Sequence, residues 1–148
     1  MRDRMLVLDT NVVLDVLHFD DPAARPLKRA LEMGQLRGAA TPETFDECRR
    51  VLAYPGFALD TARQRALLER YRAAATMFDA AVPAGVPRCV DADDQKFLDL
   101  AAQLGLPLVS KDRAVLRLRR RAAPRFSIFT PAEAAAWLAA QVAGFSCR

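Results

Sequence analysis

Acidic residues close or head the apolar segments of this 148-residue chain at four places. Asp9 follows the run Met5–Leu8, in Leu8-Asp9-Thr10-Asn11-Val12. Asp112 follows another, in Leu108-Val109-Ser110-Lys111-Asp112. Asp94 heads a helical stripe of Phe97, Leu98 and Ala101, and Asp91-Ala92-Asp93-Asp94 packs three acids at that helix start. Glu47 lies among Thr44 and Val51, flanking the stripe Phe45, Cys48 and Leu52; Glu43, one turn earlier, competes with it. Taken singly, each acid also suits helix capping and dipole compensation. Taken together, carboxylates that share a crevice repel one another unless a cation neutralises them. All-oxygen ligation suits Mg²⁺ or Mn²⁺ rather than zinc.

Other chemistries lack their residues. His18 is the single histidine, which leaves no multi-histidine zinc site and no histidine acid–base pair. No glycine-rich phosphate loop occurs. The three serines, Ser110, Ser127 and Ser146, stand in no nucleophile elbow. Cys48, Cys89 and Cys147 are widely spaced and odd in number, which predicts reduced thiols rather than a disulfide framework.

The elements that must position these acids alternate between strand and helix, predicting an α/β fold with a mainly parallel sheet of four to five strands. Met5–Leu8 reads as a buried parallel strand. A helix follows over 11–19, broken at Asp20-Asp21-Pro22, and a second over 23–33, ended by Gly34. Gly38–Thr41 is a short strand. Pro42 opens a third helix that stops at Tyr54-Pro55-Gly56. A long Arg/Ala-rich helix is expected from Thr61 to Met77, irregular chain over 83–87, and a helix over 94–104. Strand 106–110, a basic helix over 113–121, strand 126–129 and a closing helix over 131–142 complete the chain. Without repeats or a dividing linker, residues 1–148 read as one domain, the last few forming a flexible tail.

Hydrophobic residues make up 52% and charged residues 27%, a globular composition. The apolar run at Met5 is too short for a signal core or a membrane span, so the cytosol is expected and a membrane is not. Net charge is +4, from 22 basic and 18 acidic residues. The pI is near 9.3. Nearly all of the positive charge is arginine, a residue suited to phosphate, and the only lysines are Lys28, Lys96 and Lys111. A polyanionic partner is compatible with this balance.

The four acidic segments, in this order, resemble the motifs of the PIN-domain family, in particular the VapC-like ribonuclease toxins of bacterial toxin–antitoxin pairs. Val7-Leu8-Asp9-Thr10-Asn11-Val12 resembles the first motif. Thr41 to Leu52 resembles the second, its acid falling on Glu47. Asp91 to Ala101 resembles the third, with Asp94 facing the metal, and Leu108–Asp112 the fourth. The ending Ile128-Phe129-Thr130-Pro131-Ala132-Glu133 is also similar. The resemblance implies a PIN-like fold and Mg²⁺- or Mn²⁺-dependent RNA hydrolysis, with Asp9, Glu47, Asp94 and Asp112 as catalytic metal ligands. Thr10, Asn11, Ser110 and Asp91 would support them or contact phosphate. Arg113, Arg117, Arg119, Arg120, Arg121 and Arg125 would track the RNA backbone. It also implies an antitoxin partner and a homodimer. One departure is Ala114, where members often carry a further acid. A PIN-like binding module without catalysis is the alternative that Ala114 favours. A haloacid-dehalogenase-type phosphatase also begins with a strand and an aspartate, but wants an acid where this chain has Asn11.

Overall fold

The computed structural model describes residues 4–146, and side chains as far as 144. Cys147 and the last residue of the expected tail lie outside the described residues.

The elements follow from local chemistry. β1 (Met5–Leu8) ends at Asp9, whose carboxylate accepts from Val12 N at 3.1 Å and so starts α1 (Thr10–Leu14). The chain continues as a π-helical turn over Asp15–Phe19. Wider turns of this kind often sit near functional residues. A short 3₁₀ turn at Pro22–Ala24 leads into α2 (Arg25–Glu32), and then come β2 (Arg37–Ala40) and α3 (Pro42–Leu52). Thr41 and Thr44 form a reciprocal capping box at the start of α3, with Pro42 at its first position. α4 (Thr61–Ala74) is followed by β3 (Ala75–Met77), and a 3₁₀ turn at Ala92–Asp94 opens α5 (Gln95–Leu104). Gly105, at φ 66°, supplies the left-handed residue that closes α5. β4 (Leu108–Val109), α6 (Arg113–Leu116), α7 (Arg119–Ala122), β5 (Ile128–Phe129) and α8 (Pro131–Ser146) follow.

Five strands form one sheet in the order β3-β2-β1-β4-β5, every neighbouring pair parallel. Both faces are covered. Leu6, Leu8, Ala40 and Val109 point into a core shared with α1 to α4 and α8. Val7, Ala39, Leu108 and Ile128 point into a second core with α5 to α7. Burial on two faces is why the strands read as unbroken apolar runs instead of alternating. Arg37 latches the far side of the sheet, donating to Thr76 Oγ1 at 2.8 Å and to the Ala75 carbonyl at 2.6 Å.

Several boundaries differ from the sequence reading; the closing helix, for one, runs to Ser146 and not to 142. The helix expected from Thr61 to Met77 ends at Ala74, and Ala75–Met77 form an edge strand on β2 instead. No glycine or proline marks the change; the exposed ladder of β2 and the Arg37 latch override the helical propensity of the alanines. The basic helix expected over 113–121 is two four-residue helices, α6 and α7, separated at Arg117–Leu118. Val115, Leu118 and Ala122 all reach the second core across the break.

Candidate metal centre

The strand order reverses at β1: the chain proceeds outward through β2 and β3, then returns to lay β4 on the other side of β1. Ligands of open α/β sheets bind at such a reversal, beyond the carboxyl ends of the strands. Asp9 leaves β1 there, and Ser110 and Asp112 leave β4 beside it. Ser110 donates its hydroxyl to Asp9 Oδ2 and accepts from Asp112 N at 3.0 Å, joining the two strand ends through one buried oxygen. Asp112 caps α6 by accepting from Ala114 N at 2.8 Å. Capping and clustering are therefore not alternatives for Asp9 or Asp112. Each caps a helix and adjoins the other acid.

Asp94 enters from the turn before α5. Its carboxyl faces Asp112, and its Oδ2 is buried without receiving a hydrogen bond. Two carboxyls can bond directly only when one carries a proton. Burial foremost, then the charges of Asp112 and Asp91, raises the Asp94 carboxyl to about 7. Burial also raises Asp9 to about 6, against the bonds from Ser110 and Val12 and with a push from Asp112. Three aspartates from three separate elements thus share one charge-destabilised site. Thiol chemistry does not enter nearby: burial pushes Cys48 up to about 12, and Cys89 is also raised.

Both oxygens of Glu47 are engaged. Thr10 donates its hydroxyl to Glu47 Oε2, and Lys96 Nζ lies 2.6 Å from Oε1. Among the described residues, no three His, Cys, Asp or Glu side chains converge as a ready-made metal cage. The donors nevertheless fit a hard divalent cation: the set is all carboxylate oxygen, and a buried Asp94 oxygen lacks any partner. Asn11 is exposed. Asp91 caps the 3₁₀ turn, accepting from Asp93 N at 2.9 Å, and bears on Asp94 by its charge.

Of the arginines expected along RNA, two are engaged within the fold. Arg119 pairs with Glu133 at 2.5 Å, and Glu133 in turn accepts from Thr130 N at 2.8 Å at the head of α8. Arg125 donates to the Ala84 carbonyl. Arg113, Arg117, Arg120 and Arg121 are exposed.

Sequence reasoning missed Lys96, Lys111 and Asp15. Lys111 Nζ lies 2.5 Å from Asp15 Oδ2, tying the Ser110–Asp112 loop to the π-helical turn. Asp15 is buried at 5% exposure, which a position on an expected helix did not disclose. A signal was present: of three lysines in the chain, one falls two residues after Asp94 and another immediately before Asp112.

An all-parallel α/β sheet with aspartates gathered at its topological switch defines the class. Residues 5–114 match the PIN domain family, and the chain belongs to it. Comparison with curated proteins returned no match. Among solved structures, the fold is similar to a chain of the crystal structure of VapBC2 from Rickettsia felis bound to a DNA fragment from their promoter. The TM-score is 0.60 at 11% identity, covering 85% of this chain and 98% of that one.

Proposed function

We propose that this protein is a divalent-metal-dependent endoribonuclease, hydrolysing RNA phosphodiester bonds in the cytosol as the toxin of a toxin–antitoxin pair. The observation that carries the reading is the meeting of Asp9, Asp94 and Asp112 at the switch of a PIN-domain sheet, with the buried Asp94 oxygen left without a partner. A cation at such a site offsets the clustered charge. In this reading Asp9, Asp94 and Asp112 hold Mg²⁺ or Mn²⁺. Bound there, the metal supplies Lewis acidity and an acidified water for attack on phosphorus. Ser110 orients Asp9 and fixes the Asp112 backbone, Thr10 orients Glu47, and Lys111 anchors the loop between Ser110 and Asp112 through Asp15. Arg113, Arg117, Arg120 and Arg121 approach the RNA backbone, while Arg119 and Arg125 keep their partners within the fold. The likeness to a chain of the VapBC2 structure supports an antitoxin partner. Among the described residues no helix is long and apolar enough to cross a membrane. A homodimer is part of the same reading, by the family resemblance alone.

A second reading, a PIN-like module that binds RNA without cutting it, is favoured by Ala114 and by the tie of Glu47 to Lys96. The deciding experiment is cleavage of a labelled structured RNA by wild type and Asp9→Asn, with Mg²⁺, with Mn²⁺ and with chelator. Cleavage that requires metal and is lost in Asp9→Asn bears out the nuclease. RNA binding without cleavage in any metal, unchanged by Asp9→Asn, selects the binding module.

A further inference from the structure

Glu47 has no free carboxylate oxygen. One accepts the Thr10 hydroxyl and the other holds the Lys96 ammonium at 2.6 Å. Both members of the ion pair are largely withdrawn from solvent, with side chains 20% and 17% exposed. The lysine is itself held in place, donating to the Asp93 carbonyl at 2.7 Å and lying 5.4 Å from the Phe97 ring centre. Its tether therefore joins α3 to the very turn that delivers Asp94. The two sides of the site are neutralised differently. Glu47 has a cation of its own, whereas the buried Oδ2 of Asp94 receives no hydrogen bond. A side-chain ammonium and a divalent ion are alternative ways to neutralise one carboxylate, and a single oxygen cannot serve both at full strength.

We propose that Lys96 is the resident counter-ion of Glu47, a positioning residue that competes with divalent metal for that carboxylate. The assignment rests on the metal-centre reading proposed above. It makes the metal-free protein tolerant of its own acidic cluster, since one of the four acids is already paired. It also makes ligation of metal by Glu47 conditional on breaking a largely buried ion pair, so the lysine sets how much metal the site requires.

The test is titration of the full chain with Mn²⁺ alone, followed by calorimetry, with no RNA present. Lys96→Met leaves Glu47 without its cation, and Mn²⁺ binding is expected to tighten at least about fivefold, the lower range of ordinary site-to-site coupling. Lys96→Arg preserves the pair and is expected to bind like wild type. The gain is expected to vanish in Lys96→Met/Glu47→Gln, which separates competition at Glu47 from a general loss of positive charge. Lys96→Gln serves the same purpose should the methionine variant fail to fold. Unchanged or weaker Mn²⁺ binding in the Lys96 variants, or a gain that persists without Glu47, would overturn the assignment. Asp94→Asn is the separate control: if it leaves Mn²⁺ binding intact, the metal-centre reading itself fails. If it abolishes binding, a negative result with Lys96 falls on Lys96 alone.

Discussion

At the scale of single residues, the site is a balance between burial and charge. Asp9 is 5% exposed yet accepts only two bonds, from Val12 N and the Ser110 hydroxyl, and it adjoins Asp112. A carboxyl raised in the folded state favours folding while protonated and opposes it once ionised. For Asp9 and Asp94 the favourable contribution is complete below about pH 4. It is lost as pH rises through about 6 for Asp9 and about 7 for Asp94. For Asp9 alone, displacement from 3.8 to about 6 corresponds to about 3 kcal/mol. In chelator, thermal melts from pH 5 to pH 8 are therefore expected to fall in midpoint, and Asp94→Asn is expected to flatten that fall and melt higher than wild type at pH 8. A midpoint that climbs with pH in wild type contradicts the charge balance described here. The residue types at this site were legible in the sequence, because an acid closing an apolar run is visible as such. The Glu47–Lys96 and Asp15–Lys111 pairs were not, because each joins residues far apart in the chain and leaves no local period to read.

At the scale of elements, the close approach of α4 to the sheet depends on one glycine. Gly38 lies in β2, and a Cβ there would meet Tyr71 Cε1 at 3.3 Å. Tyr71 is a buried residue of α4 that stacks on Phe45 of α3. A bulky side chain at Gly38 must push the ring, and with it α4, away from the strand that pairs β3. Gly38→Val is expected to lower stability by roughly 1–3 kcal/mol, the usual cost of overpacking a core. The checking measurement is the denaturant midpoint, with the valine variant unfolding earlier than wild type. The loss should also be felt at β3, which has only three residues and borders β2 alone. That dependence explains why β3 was read as helix. Ala75-Thr76-Met77 carries no strand signature of its own, and it is extended because β2 and Arg37 offer hydrogen bonds that a fifth helical turn would forgo.

For the whole molecule, the proposed metal binding would be linked to folding. A ligand that prefers the folded chain stabilises it according to its concentration over its dissociation constant, about 2.7 kcal/mol at a hundredfold excess. For a domain of this size that raises the melting midpoint by roughly 5–10 °C. Mn²⁺ added to wild type at pH 8 is expected to produce such a rise, and Asp94→Asn to abolish most of it. An equal rise in both proteins would assign the effect to metal bound elsewhere. The same linkage would work against the pH-dependent loss at Asp9 and Asp94, since a bound metal would offset the charge that makes them unfavourable.

The sequence alone determined the α/β class and the order of the four acidic segments. These follow from hydrophobic period and residue type, which are local properties. Only the tertiary structure decided which acids meet. The reversal of strand order at β1 lays β4 against it and so brings Asp9 beside Ser110 and Asp112, about a hundred residues later in the chain. It also decided that Arg119 serves the cap of α8 and that Glu47 pairs with Lys96. Those outcomes depend on which surfaces pack together, and burial, not sequence spacing, sets the charge each side chain can bear.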